Sequence, residues 1–399
     1  MNLEGISKKI RNCMKPSLVV EYCYGIFRYR INGSPLSPID RRMKILGIII
    51  TMLWIFSINY VCILPKIINI FNEKLNMGKF VREMPWLVCC FHYVASNMLL
   101  ILWQSENNLK VMETFSNIDV ALHASMNNKF YMTSQKECKK MIIMYFIFCI
   151  TMVISIYGCE EENCIKLFLY LFLYYERNIE IVVLCEFLHH LIHRLLLIKN
   201  YFKKFMASVN QRQNRTYRCL LENAELDGII NFIGSASDKN NKILNLAYVY
   251  KDAGDACNMI NIIFNFIITT SISSTFVFII SFFWASLNCL KRKGIPKTTN
   301  TMINIMFWTL AELFPVFTIP YYCDKVIRVK EEIKIILNKI IIDDRLPKGM
   351  RDQAKVFVEI TEVWPLTIQA YNMFQINKNL ILKFIGICTS YIIVVIQIE

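Results

Sequence analysis

Residues Ala256–Leu290 read ACNMINIIFNFIITTSISSTFVFIISFFWASLNCL, 35 consecutive positions without Asp, Glu, Lys or Arg. A helix rises about 1.5 Å per residue and the hydrocarbon core of a bilayer is about 30 Å thick, so about 20 apolar residues complete a crossing. This run exceeds that length. Part of its helix is therefore expected to tilt or to project beyond the bilayer.

Six further stretches satisfy the same criterion. Ile45–Leu64 carries no charge, Trp86–Trp103 contains only His92, and Met141–Gly158 is similarly clean. A fourth begins near Ile165 and is interrupted by Glu176, Arg177, Glu180 and Glu186; Thr298–Cys323 holds Glu312, Pro315 and Pro320; Leu380–Ile398 has Lys383 near its start. With 55% hydrophobic and only 19% charged residues in 399, the chain is too apolar for an ordinary soluble globule. Twelve glycines, ten prolines and no internal repeat leave one continuous unit as the simplest organisation. The expected fold is all-α, with seven transmembrane helices.

Orientation follows from the basic residues between spans. Lys and Arg number 32 in the segments 1–42, 105–140, 194–255 and 324–376, against nine in the alternate loops 65–85, 159–166 and 286–300. The heavier side is expected to be cytoplasmic, giving an inside N-terminus, an outside C-terminus and a topology opposite to that of G-protein-coupled receptors. The net charge of +14 is then accounted for by topology and inner-leaflet lipid, without nucleic acid. The opening MNLEGISKKIRNCMK lacks an apolar core, so no cleaved signal peptide is expected. The sequons at Asn32 and Asn214 fall on the cytoplasmic side and are expected to stay unglycosylated.

Most of the fifteen cysteines sit in apolar runs and read as small hydrophobes; Cys159 and Cys164, flanking an acidic outer loop, are either free thiols, the commoner case, or a bridge. Between the spans, Ile333, Ile336, Leu337, Ile340 and Ile341 recur at helical spacing, as do Val356, Phe357, Ile360, Val363 and Trp364 beyond the breaker DDRLPKG. These segments are expected to extend as helices into the cytosol and pack as a bundle, the alternative being helices lying flat on the leaflet.

There is no phosphate loop, nucleophile elbow or paired metal-binding cysteine motif, so neither an enzyme nor a cofactor is expected. In CEFLHHLIHR, His189 with His193 and Glu186 with His190 are each one turn apart, but the order fits no metal motif and a structural role is expected. The charges within the fourth span carry more information, because charge at that depth must be paired or wetted. Arg177 is expected to reach Glu180, leaving Glu176 to find another partner or face water. Around them lie His92, Tyr93, Tyr157, Tyr170, Tyr174, Trp284, Phe307 and Trp308. With Glu176, Arg177 and Glu312 these describe the wall of a small-molecule pocket, although such aromatics equally describe an interfacial belt. Pro315 and Pro320 permit a kink in the sixth span.

In the last stretch, Lys383, Ser390 and Gln397 are spaced by seven, a polar stripe on one helix face. Either it packs against neighbouring helices, or copies from several subunits surround a conduction path closed by Val394 and Ile398.

SYIIVVIQI, Ser390–Ile398, resembles the tail signature of insect gustatory receptors: Thr-Tyr, five hydrophobic residues, then Gln-Phe. Tyr391, the five-residue spacer and Gln397 are kept; Ser390 replaces Thr and Ile398 replaces Phe. AYNMFQINKNLILKFIGICTS, Ala370–Ser390, is similar to the family's approach to that helix. The resemblance implies a nonselective cation channel gated by a tastant, of bitter rather than sugar type, in the plasma membrane of sensory neurons. It implies a homo- or hetero-tetramer with other gustatory receptors, in contact with membrane lipid. Four regions follow: a cytoplasmic segment, 1–42; six helices with the pocket, 43–323; cytoplasmic anchor helices, 324–376; and a pore-lining seventh helix, 377–399. Ser390, Tyr391, Val394, Gln397 and Ile398 would form pore and gate. Insect odorant receptors share this architecture, and a secondary transporter is the alternative of a different class.

Overall fold

The computed structural model describes residues 3–30, 39–60, 77–124, 128–157, 164–213, 232–291 and 295–398. Among the described residues the fold is all-α apart from one small hairpin. In order, the helices are α1 Leu3–Cys23, α2 Arg41–Ile58, α3 Met77–Leu102, α4 Ser105–Ala121, α5 Asn128–Tyr157, α6 Cys164–Gln213, α7 Lys242–Lys291, α8 Ile295–Glu312, α9 Phe314–Ile342, α10 Lys348–Val363 and α11 Asn379–Ile398.

Each of the seven apolar stretches lies on helix, the first only as far as the described residues run. By length and composition, two described segments can cross a bilayer alone, Leu171–Asn210 and Lys242–Leu287. Leu87–Leu102 joins them if taken with Ser105–Ala121, from which it is bent by 66°. The sixth stretch differs from expectation. It is not one kinked helix but two, broken at Leu313, with Pro315 at the start of α9, where its missing N–H costs nothing, and Pro320 inside.

α6 and α7 are each 50 residues long, about 75 Å at 1.5 Å per residue, more than twice the hydrocarbon thickness. Their excess length is packed. The largest core joins α1, α4, the later part of α6, the earlier part of α7, the later part of α9, and α10. Ile333, Leu337 and Ile340 are buried there, as the spacing predicts. On α10 the buried face is instead Met350, Ala354, Phe357 and Thr361, while Val356 and Val363 are exposed. Small residues complete the 3.6-residue stripe, so counting only bulky ones displaced it. α10 packs on α7 and α9 rather than lying apart on a surface.

Elsewhere, aliphatic and aromatic side chains face outward uncovered: Leu53 and Phe56 on α2, Met144 and Ile150 on α5, Met306 and Leu310 on α8. Such a continuous apolar exterior requires hydrocarbon around it. Among described cysteines, Cys13, Cys89, Cys138, Cys185, Cys257, Cys323 and Cys388 are buried and free. Cys159, the Cys164 side chain, Asn32 and Asn214 lie outside the described residues.

The hairpin, β1 Gln369–Ala370 and β2 Phe374–Gln375, turns through Tyr371 and Asn372 at φ of 48° and 58°. Asn261 and Asn265, one turn apart on α7, accept its backbone N–H groups from Gln369 and Tyr371. α11 is thereby delivered beside α7.

Candidate functional site

α6 carries acid and base on two faces. Glu176 and Glu180, one turn apart, point towards α3; Arg177, rotated by about 100° from Glu176, points towards α7 and α8. This orientation overrides the expected Arg177–Glu180 pair. Arg177 Nη2 instead donates to Glu312 Oε2 at 2.6 Å, and Nη1 donates to the Ser274 hydroxyl. Its guanidinium lies between the rings of Tyr174, 5.2 Å away, and Phe278, 5.5 Å away. Glu312 ends α8, where carbonyls lose their helical partners; its own accepts from Thr275 Oγ1 at 3.1 Å. The break at Leu313 is thus tied to α6 by an ion pair and to α7 by a hydroxyl.

On the other face, Glu180 meets α3. His92 Nε2 lies 3.0 Å from Glu180 Oε2, the Ser96 hydroxyl donates to Oε1, and His92 Nδ1 is 2.7 Å from Thr270 Oγ1 on α7. Glu176 is fully buried and neither carboxylate oxygen has a hydrogen-bond partner. Among the described residues, His92, Glu176 and Glu180 are the three that gather in metal-ligating geometry. The histidine run of α6 does not converge this way. His190 turns to Ser134 and Cys138 of α5, Glu186 accepts from Ser17 of α1, and the rings of His189 and His193 lie 4.2 Å apart.

Of the aromatic residues, Tyr93 is buried with its hydroxyl donating to Tyr24 O at 3.0 Å, in a cluster with Phe172 and Phe278. Tyr174 is buried against Trp308, with ring centroids 5.3 Å apart, and Phe307 packs on the same cluster. Trp284 is half-buried further along α7. The side chains of Tyr157 and Tyr170 lie outside the described residues. Tyr93, Tyr174, Glu176, Arg177 and Glu312 are therefore all buried, and any molecule entering among them must part packed side chains. An open groove of about 540 Å³ lies elsewhere, between α9 and α11, lined by Phe317, Thr318, Tyr321, Lys378, Ile381 and Leu382.

Four of the residues involved carry no signal of their own in the sequence. Ser96 and Thr270 are unremarkable in an apolar run, and the buried Glu21–Arg28 pair, 2.8 Å apart, lies in the N-terminal segment outside the apolar stretches. One signal was available: Ser96 follows His92 by one turn, so both face the same neighbour.

α11 touches the rest of the chain along one stripe. Phe384 and Cys388 are buried against Val316 of α9 and against α7. Ser390, Tyr391, Val394 and Gln397 are exposed, Tyr391 with its ring centroid 5.2 Å from that of Phe276, edge to face; the Ile398 side chain is not described. At 100° per residue, Ser390 and Gln397 stand about 160–180° around the helix from Cys388. The polar stripe thus faces away from the protein.

No characterised protein matches the chain by sequence. By structure it is similar to the insect olfactory receptor OR5 from Machilis hrabei, solved in complex with eugenol, with a TM-score of 0.63 and 11% identity over 98% of this chain and 99% of that one. Residues 14–399 match the sequence pattern of the family described as 7tm chemosensory receptor, which is a family of membrane receptors and not of enzymes. With seven apolar stretches on helix, an all-α frame and a match over almost its full length, the chain belongs to the 7tm chemosensory receptor family.

Proposed function

We propose that the chain is a gustatory receptor acting as a ligand-gated, nonselective cation channel in the plasma membrane of sensory neurons, opened by a small tastant of bitter type. The observation that carries this reading is the bare polar stripe of α11. In a lone chain Ser390 and Gln397 would face lipid, where an unsatisfied amide is costly. Four copies around an axis, as homo- or hetero-tetramer, give that stripe water and a partner, with Val394 and Ile398 forming apolar rungs. The N-terminus lies inside, segment 1–42 and helices 324–376 in the cytoplasm, and residues 377–399 at the pore. Tastant entry is assigned to the buried residues His92, Tyr93, Tyr174, Glu176, Arg177 and Glu312 with the half-buried Trp284, Phe307 and Trp308, and, from the sequence alone, to Tyr157 and Tyr170.

Expression in cells and current recording during application of bitter compounds tests the reading. A rapid, tastant-dependent cation current that persists under G-protein block is expected. Electrically silent, stoichiometric uptake would identify a transporter instead. The likeness to an olfactory receptor favours one second reading, that the same channel answers volatile odorants. Responses to a volatile panel, with none to bitter compounds, would establish it.

A further inference from the structure

His92 on α3 and Glu176 and Glu180 on α6 each bring one ligand atom within 4.8 Å of the other two, and all three are buried. The guanidinium groups around them are committed elsewhere, Arg28 to Glu21 and Arg177 to Glu312. Glu176 has no donor on either oxygen. A buried carboxylate stripped of both water and donors is among the costliest groups a fold can hold.

The histidine sharpens the point. Thr270 Oγ1 lies 2.8 Å from Phe266 O and 2.7 Å from His92 Nδ1. In the tautomer where its one proton goes to the carbonyl, Nδ1 carries the ring hydrogen and Nε2 presents a lone pair to Glu180 Oε2 at 3.0 Å. Two lone pairs facing at that distance require a positive centre between them, a proton or a metal ion. The surrounding bonds are those of an oriented ligand set, with the far ring nitrogen fixed by Thr270 and the second Glu180 oxygen held by Ser96.

We infer that His92, Glu176 and Glu180 form a site for a divalent transition-metal ion, with zinc the best fit. One neutral imidazole and two carboxylates balance a charge of +2, these donors suit zinc, and three protein ligands leave a fourth position open. Metal–ligand bonds of about 2.0–2.2 Å imply ligand-to-ligand edges of about 3.3–3.6 Å in a tetrahedron. The His92–Glu180 edge is already close to this, and rotation of the unbonded Glu176 carboxylate completes the set. Such an ion would join α3 to α6 directly and to α7 through Thr270, favouring one relative position of three helices. The inference goes beyond the proposed function, because metal retention is read without any current.

The test uses the purified full-length receptor in detergent, equilibrated with zinc and freed of excess by buffer exchange. Mass spectrometry of the metal should find about one tightly held zinc per chain, and melting temperature should rise saturably with zinc. Glu176→Gln and His92→Ala should lose that zinc. Glu186→Gln, a buried carboxylate bonded to Ser17 outside the cluster, should keep it. If wild type holds no zinc, or Glu176→Gln holds as much, the inference fails: the cluster is then neutralised by protons, or the metal is an adventitious ion only. Should the variants not fold, X-ray absorption at the zinc edge of the wild type decides. One imidazole in an oxygen shell supports the site, and sulfur ligation or the lack of imidazole overturns it.

Discussion

Replacing Glu312 by Gln removes the carboxylate that, among the described residues, is paired with the Arg177 guanidinium. Both side chains are fully buried and joined at 2.6 Å. Cutting one member of a buried ion pair costs about 3–5 kcal/mol, because the remaining charge is stranded away from water. At about 1.4 kcal/mol per tenfold, the folded-to-unfolded ratio falls by roughly two to four decades. The two single variants should differ. A carboxyl can neutralise itself by binding a proton and a guanidinium cannot, so Glu312→Gln should be worse than Arg177→Met. The double variant Arg177→Met/Glu312→Gln strands no charge and should recover most of the loss, since the severe part of the single cost is the charge left behind. Denaturant unfolding of the receptor in mixed micelles, set out as a double-mutant cycle, reads a coupling of about 2 kcal/mol or more. Single costs below about 1 kcal/mol that simply add in the double variant would refute the claim that this pair ties α8 to α6.

Further outcomes are expected. Gln397→Ala should alter conductance or gating with little change in surface expression; an unaltered current at normal expression would count against the pore assignment. Gly254→Ala should destabilise by about 1–3 kcal/mol, because a Cβ there would sit 2.7 Å from Trp364 Cγ; melting of the variant measures it, and pairing it with Trp364→Leu should relieve the loss. The hydrogen bond from Arg345 holds the Asp343 carboxyl below its usual range, so its stabilisation is present above the unfolded carboxylate pKa and is lost as pH falls through the lower, folded value. Asp343→Asn should therefore flatten acid-induced melting, and an unchanged profile would dismiss the contribution. Glycosidase treatment should leave gel mobility unaltered, since Asn32 and Asn214 are assigned to the cytosol; a shift traced to either would reverse the topology.

What could be read from sequence was whatever repeats along a helix. Charge-free runs located the apolar helices, and the seven-residue spacing of Ser390 and Gln397 placed them on a common face before any coordinate was known. Pairing between helices was not readable. Arg177 has Glu180 within reach by spacing yet bonds to Glu312, 135 positions away, because rotation about α6 and the break at Leu313 decide which acid it meets. The hairpin at 369–375 is hidden for a similar reason: Tyr371 and Asn372 adopt left-handed backbone although neither is glycine, while amides from Asn261 and Asn265 hold the strand start and the turn. His92 reads as one more aromatic in an apolar run until α6 and α7 are brought beside it.

The length of α7 gives the receptor a mechanical property. A stiff rod of about 75 Å that leans by about 5° about its middle sweeps each tip through about 3 Å. Its middle grips the approach to α11 through Asn261 and Asn265 and touches Tyr391 through Phe276, so that part acts as the fulcrum. A lean forced on one arm carries the other arm a similar distance the opposite way, and the pivot passes a smaller share of it to the final helix.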